Sequence, residues 1–199
     1  MIAETQRGRP PWRVLALLVL IALATWGLDQ VAKYLVLQNL VEGGPAVPII
    51  GDLVQFRLVK NSGAAFSLGS GFTWVLSIVA VGVVATIIWV SGRIRSARWA
   101  AVFGLILGGA LGNLTDRLFR EPGFGVGHVI DYIQVIYFPA IFNVADIAIT
   151  SSMVLFVLLT LLGIGLDGSR HPNGAAGKTE TVEPDGRESG PVERDPKGS

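Results

Sequence analysis

The 199-residue sequence contains no cysteine and only two histidines, His128 and His171. The absence of cysteine excludes disulfides, thiolate metal ligands and a cysteine nucleophile, and two histidines alone do not form a zinc site. Charge is also scarce, because Asp, Glu, Lys and Arg make up 16% of the residues and the net charge is +1. Such a small positive excess offers no electrostatic footprint for nucleic acid, so we expect no nucleic-acid partner.

Long apolar runs take the place of the missing charge. Hydrophobic residues make up 51% of the chain, which is more than an ordinary soluble domain carries. About 20 apolar residues in a helix cross the hydrocarbon core of a bilayer. Candidate spans cover residues 12–37, 72–90, 99–114 and 142–166. The sequence therefore predicts an all-α membrane protein with four transmembrane helices.

Arginine placement predicts the orientation of these spans. Arginines occur before and at the start of the first run, at positions 7, 9 and 13, and between the second and third runs, at positions 93, 95 and 98. Short segments rich in Lys and Arg remain in the cytoplasm. Both termini are therefore expected in the cytoplasm, with residues 38–71 and 115–141 outside. The first run can also be interpreted as a cleaved signal peptide, because Ala22-Leu23-Ala24 resembles a cleavage site. Its apolar residues continue to Leu37, which favours a span.

The segments outside the spans have distinct compositions. Val54, Phe56 and Leu58 alternate with polar neighbours, the period of a half-buried strand, and predict a small extracytoplasmic β-sheet at about residues 44–70. Residues 12–166 are expected to form the membrane domain, after a cytoplasmic tail of residues 1–11. Residues 167–199 are rich in Gly, Pro and charge and predict a disordered cytoplasmic tail.

Polar side chains gather at one depth of the predicted bundle, its outer end. Asp29 and Lys33 are spaced i, i+4 in the first run, so they can pair. The other members are Asn113, Asp116 and Arg117 in or just after the third run, Asp131 in the next loop, and Asn143 and Asp146 at the start of the fourth. Taken singly, Asp29 with Lys33 can be an interfacial pair and Asp116 with Arg117 a helix end. Ionisable residues within spans are rare and usually functional, so the convergence predicts a site.

Carboxylates are the reactive groups that this site offers. A paired Ser and His for acyl transfer is absent, whereas two aspartates that share a proton can activate water. This arrangement predicts an aspartyl protease at a membrane surface. A small transporter with an ion relay is an alternative, and it would distribute charges across the membrane depth. A structural membrane subunit is a third, and it leaves the cluster without a role.

Five sequence blocks, in order, resemble the lipoprotein signal peptidases (signal peptidase II), a family of aspartyl membrane proteases. They are D-Q-x-x-K at 29–33, N-S-G-A-A-F-S at 61–67, G-G-A-L-G-N-L-T-D-R at 108–117, V-I-D-Y at 129–132 and F-N-V-A-D at 142–146. The resemblance covers residues 12–166. It implies a four-helix membrane protein that removes signal peptides from bacterial prolipoproteins, cutting just before a cysteine that carries diacylglycerol.

The resemblance also implies roles for individual residues. It places a catalytic pair at Asp131 and Asp146, with neither metal nor cofactor. The family's supporting polar residues fall on Asp29, Lys33, Asn61, Asn113, Arg117 and Asn143. Asp116 remains a rival partner for Asp146, because the stretch between Arg117 and Val129 is longer than usual in the family. We assign Asp116 a structural role, since the adjacent Arg117 charge would keep it ionised.

The same resemblance implies the setting of the enzyme. Its partners are expected to be lipid-modified prolipoproteins and membrane lipids, and the protein is expected to be a monomer. The expected location is the bacterial inner membrane, with the active site at the outer leaflet and globomycin as an inhibitor.

Gly104, Gly108 and Gly112 recur every four residues, a pattern that lets membrane helices pack closely. His128 is interpreted as a loop residue.

Overall fold

The computed structural model describes residues 12–63 and 73–170. Within these ranges four helices are long and apolar enough to cross a membrane, which confirms the prediction of a four-helix membrane protein. They are α1 (Trp12–Asn39), α2 (Thr73–Ser91), α3 (Ala97–Phe119) and α4 (Val144–Leu161). The predicted tails at 1–11 and from 171 onward, and part of the N-S-G-A-A-F-S block, lie outside the described residues.

Two of the four helices, α3 and α4, end well away from their predicted limits. Helix α3 continues to Phe119, past the predicted end at 114, because polar residues in its last turns pair with neighbouring helices instead of ending it. Helix α4 ends at Leu161, before the predicted end at 166. The chain then turns at Gly163, whose φ of 65° suits glycine.

The segment after α4 folds back along the end of the bundle that lies away from the sheet. The carbonyl of Leu166 accepts hydrogen bonds from the backbone N–H groups of Arg95 and Ser96, and Ile164 forms a β-bridge with Arg170. Residues 167–170, which the sequence assigned to the start of the disordered tail, therefore belong to an ordered turn.

The sheet has four antiparallel strands in the order β1-β2-β3-β4. They are β1 (Val47–Ile50), β2 (Val54–Asn61), β3 (Val129–Val135) and β4 (Ile141–Phe142). The first two strands lie where the sequence placed the sheet, but β3 and β4 come from a segment interpreted as a loop. The β3 sequence VIDYIQV has apolar residues on both faces, and its first four residues are buried, so it lacks the alternation that marks a half-buried strand.

The sheet covers one end of the helix bundle, which we call the sheet end. Its buried side packs Leu58, Ile130 and Tyr132 against Val36 near the end of α1. Helices α1 and α3 run towards this end, whereas α2 and α4 begin there. As a result, the last turns of two helices and the first turn of a third meet beneath the same sheet.

Glycines allow α3 to pack closely between α1 and α4. A Cβ atom would lie 2.6 Å from the Ala22 carbonyl oxygen if placed on Gly108, and 2.7 Å from the Ala145 carbonyl oxygen if placed on Gly109. Real Cβ atoms do not approach backbone oxygens so closely, so both contacts require glycine. The small-residue pattern of the third span therefore has the packing role expected of it.

Candidate active site

The helix-capping interactions at the start of α4 explain why the carboxylate of Asp146 stands at the head of an apolar helix. Asn143 is the N-cap residue, and its side chain accepts a hydrogen bond from the Asp146 backbone N–H at 3.0 Å. In return, Asp146 Oδ2 accepts from the Asn143 backbone N–H at 3.1 Å. This reciprocal pair is a capping box, which satisfies N–H groups that a helix start leaves without partners. It also holds the Asp146 carboxylate at the sheet end.

Asp131 lies on β3 and not in a loop, which corrects the sequence interpretation. Its side chain is 2% exposed. Asn61, at the end of the paired strand β2, donates from Nδ2 to Asp131 Oδ2 at 2.7 Å. Asn143 donates from Nδ2 to Asp131 Oδ1 at 2.7 Å. A strand supported by two amide donors therefore fixes this carboxyl group more firmly than a loop would.

The two aspartates open on the same cavity, of about 450 Å³. Its remaining wall comes from the β2 end, from the β3–β4 connection and from α4. The lining residues include Asn61, Phe138, Ala140, Ile141, Phe142, Ile147, Thr150 and Ser151. The cavity is thus polar where the two carboxyl groups lie and mainly apolar elsewhere, which suits a largely apolar ligand.

Burial perturbs the titration of Asp131. The pKa of the Asp131 carboxyl group is raised to about 6, mainly by burial and in part by the negative charge of Asp146. The hydrogen bonds from Asn61 and Asn143 act in the opposite direction, because they stabilise the ionised form. A carboxyl group that keeps its proton to nearly neutral pH is suited to act as an acid beside an ionised partner.

Behind the cavity, Lys33 joins two acidic residues that have no exposed surface. Its Nζ lies 2.8 Å from Asp29 Oδ2 and 2.7 Å from Asp116 Oδ2, and all three side chains are fully buried. Arg120 completes the group, with Nε 2.5 Å from Asp116 Oδ1. Two carboxylates and two cations balance in charge, so the group avoids the large cost of an unpaired buried ion. The predicted pairing of Asp29 with Lys33 is confirmed.

Lys33 also sets the orientation of Asn113. The Asn113 Oδ1 atom accepts from Lys33 Nζ at 3.0 Å and from Asn143 Nδ2 at 3.2 Å. With its oxygen held by two donors, the amide directs Nδ2 to Asp146 Oδ1, at 2.9 Å. An asparagine carries one acceptor and one donor group on opposite sides, so the charge group behind the site determines which of them faces Asp146.

Asp116 is kept from the cavity by its own binding partners. Its oxygens are occupied by Lys33, by Arg120 and by the Ile130 backbone N–H. Arg117, its neighbour in sequence, makes no ion pair with it within 12–63 and 73–170. Asp116 therefore holds helices and sheet together, while Asp131 takes the place beside Asp146.

Arg117 is half-buried beside this cluster. Its Nε atom is buried and has no hydrogen-bond partner among the described residues. A buried guanidinium N–H without an acceptor is costly.

Sequence reasoning missed two members of the network, Gln30 and Arg120. Gln30 Nε2 donates to the Gly112 carbonyl at 3.0 Å and to Asp29 Oδ2 at 3.1 Å. Arg120 lies one turn after Asp116, a spacing that would have suggested an ion pair had α3 been expected to continue so far. Every residue of the predicted cluster, from Asp29 to Asp146, lies in or beside this network or the cavity.

Comparison with known proteins gives a consistent result. A family model described as signal peptidase (SPase) II matches residues 21–162. A lipoprotein signal peptidase of Leifsonia xyli is 54% identical over 94% of this chain and 86% of its own length. A lipoprotein signal peptidase of Mycobacterium avium is 49% identical over 81% of this chain and 87% of its own length. A bacterial membrane enzyme solved by the in meso method at 1.9 Å has a TM-score of 0.65 and 26% identity, over 72% of this chain and 92% of that one.

Proposed function

The chain belongs to the signal peptidase II family of membrane proteases that remove signal peptides from lipoprotein precursors, and we propose that it does so as an aspartyl endopeptidase through Asp131 and Asp146. One observation carries the proposal. The two carboxyl groups share a cavity, and Asn143 donates a hydrogen bond to each of them.

The proposed chemistry needs one ionised and one protonated carboxyl group. The ionised group takes a proton from a water molecule, and the water oxygen bonds to the scissile carbonyl carbon. The resulting tetrahedral intermediate collapses as the peptide C–N bond breaks, and the protonated carboxyl group gives its proton to the leaving amine. Two neighbouring carboxylates share a single proton more readily than they both ionise, and this sharing supplies the required pair of states.

The neighbouring polar groups have supporting roles in this proposal. Asn61 and Asn143 hold the Asp131 carboxyl group in place, and Asn113 orients Asp146. Arg117, whose Nε is unpartnered within the described chain, would donate to the substrate carbonyl oxygen as negative charge develops there.

The site is proposed to act at the outer leaflet of the bacterial inner membrane. Arg13, Arg93 and Arg98 lie at helix ends or in the loop away from the sheet end, and basic residues of short loops remain in the cytoplasm. This orientation places both termini in the cytoplasm and the cavity outside. The scissile bond is proposed to precede a cysteine that carries diacylglycerol, with the acyl chains in the outer leaflet. Binding of this lipid, remote from the reacting bond, would position the peptide.

A cleavage assay tests the proposal. Purified chain is incubated with a precursor carrying diacylglyceryl cysteine and with the same precursor without lipid. Cleavage of only the lipidated form is expected, and globomycin is expected to block it. Asp131→Asn and Asp146→Asn are each expected to lower turnover by at least about 100-fold, since acid–base groups contribute about that much or more. Asp52→Asn, on an exposed turn between β1 and β2, is the matched control and should retain parental turnover. Near-parental turnover in either active-site variant would contradict the proposed pair.

A further inference from the structure

Four hydroxyl side chains on α4 fall into two groups. Ser152 Oγ donates to the Ile149 carbonyl at 2.5 Å, and Thr160 Oγ1 donates to the Phe156 carbonyl at 2.8 Å. Serine and threonine in membrane helices usually satisfy their hydroxyls in this way, on their own backbone. Thr150 and Ser151 do not, and neither side chain makes a hydrogen bond to any residue that the structure describes.

The two unsatisfied hydroxyls line the catalytic cavity. Thr150 and Ser151 form part of its α4 wall, together with Asp146. A hydroxyl group without a hydrogen-bond partner is costly in an apolar environment. The hydroxyls of Ser152 and Thr160 are bonded to their own helix, whereas those of Thr150 and Ser151 have no partner among the described residues. Both residues are exposed on the cavity wall, so their hydroxyls are open to a bound ligand.

The position of the pair selects a part of the substrate. Thr150 follows Asp146 by one helical turn, which places it about 6 Å further from the sheet end at 1.5 Å per residue. A signal peptide crosses the bilayer on the N-terminal side of its scissile bond, so that side lies deeper. Extended peptide advances about 3.3 Å per residue. The pair therefore lies beside the second or third residue before the cleaved bond.

A peptide bond must be accessible to be hydrolysed, so this part of a signal peptide cannot remain helical. Unwinding removes the internal partners of its N–H and C=O groups, and hydrocarbon offers no replacement. A hydroxyl group can accept from an N–H group and donate to a C=O group. We propose that Thr150 and Ser151 bind the unwound backbone of the signal peptide directly before the scissile bond, replacing the hydrogen bonds that it loses. The inference rests on the proposed function, because the proposed cleavage of a signal peptide is what sets the direction in which the substrate lies in the cavity.

The test compares hydroxyl variants of similar shape in the full chain, with a lipidated precursor. Thr150→Val and Ser151→Ala are each expected to lower kcat/KM about three- to tenfold, the effect of losing one neutral hydrogen bond. Ser152→Ala and Thr160→Val are matched controls, because their hydroxyls bond to their own helix and lie outside the cavity. The controls are expected to retain parental kcat/KM.

A change in the substrate separates direct binding from a structural effect. An ester replaces the amide two or three residues before the scissile bond, which removes one backbone N–H. We expect the ester to lower kcat/KM of the parental chain but to add little to the loss in Thr150→Val or Ser151→Ala. Parental kcat/KM in both variants would overturn this inference and leave the proposed function standing. The same conclusion would follow if the loss in variant and ester together equalled the product of their separate losses. Absence of cleavage of the lipidated precursor by the parental chain would overturn both this inference and the proposed function.

Discussion

The side-chain amide of Asn143 donates to Asp131 Oδ1 at 2.7 Å, although Asn143 is also the N-cap of α4. One residue therefore starts the helix that carries Asp146 and supports the other carboxyl group. Its backbone N–H and side-chain oxygen serve Asp146, while its side-chain nitrogen serves Asp131. The two roles use different atoms, so substitution can separate them.

Asn143→Ser is expected to keep the cap and lose the link. A serine oxygen also caps helices, so the thermal unfolding temperature should remain close to parental. Serine has no amide nitrogen, and the lost hydrogen bond to a carboxyl group should reduce kcat/KM by about 10- to 100-fold. Asn143→Ala removes both functions, so it should lower thermal stability as well as activity. Equal unfolding temperatures for the two variants would contradict this separation.

The raised pKa of Asp131 predicts the alkaline limit of activity. The carboxyl group holds its proton below pH about 6 and loses it as the pH rises through that value. Because the proposed mechanism needs one protonated carboxyl group, kcat/KM should fall on the alkaline side of about pH 6. The pH dependence of kcat/KM in the free enzyme reports this titration.

The direction of a shift in that limit can be tested at Asn61. Its hydrogen bond lowers the pKa of Asp131, so Asn61→Ala should raise the pKa and move the alkaline limit to higher pH, with a lower maximal rate. Asn39→Ala provides a control, since Asn39 is exposed and bonds to the Leu35 carbonyl. A shift to lower pH in Asn61→Ala would show that hydration, and not the hydrogen bond, controls Asp131.

The charge group around Lys33 predicts non-additive stability effects. Lys33→Met leaves Asp29 and Asp116 buried with one cation fewer, and removal of one partner of a buried ion pair costs about 3–5 kcal/mol. The double variant Lys33→Met with Asp29→Asn removes one charge of each sign and leaves Asp116 with Arg120. We expect the double variant to unfold at a higher temperature than Lys33→Met alone. A lower unfolding temperature for the double variant than for Lys33→Met would contradict the proposal that charge balance within this buried group stabilises the fold.

The spans and the composition of the site could be predicted because the bilayer imposes simple rules. Apolar length identifies helices, and ionisable residues in such runs are rare enough to be noticed. The strand that carries Asp131 was missed, because burial on both faces removes the alternation of a strand. Arg120 was missed because a predicted end at 114 placed it outside the helix. Thr150 and Ser151 were visible in the sequence, but only the hydrogen bonds of the folded chain distinguish them from Ser152.

Close packing of α3 provides a prediction that is independent of the chemistry. Gly108→Ala places a Cβ within 2.6 Å of the Ala22 carbonyl oxygen and of Thr25 Cβ, so α1 must move away from α3. Overpacking of this kind costs about 1–3 kcal/mol, and the thermal unfolding temperature should fall. Activity should fall as well, because α1 holds Lys33, which orients Asn113.

Gly82→Ala on α2 is the control for this substitution. A Cβ there has no atom within 4 Å, and alanine favours a helix over glycine by up to about 1 kcal/mol. Its unfolding temperature should therefore equal or exceed the parental value, with unchanged activity. Stability and activity of Gly108→Ala equal to those of Gly82→Ala would contradict the idea that the close approach of α1 and α3 holds Lys33 against Asn113. The buried charges alone would then have to maintain this contact.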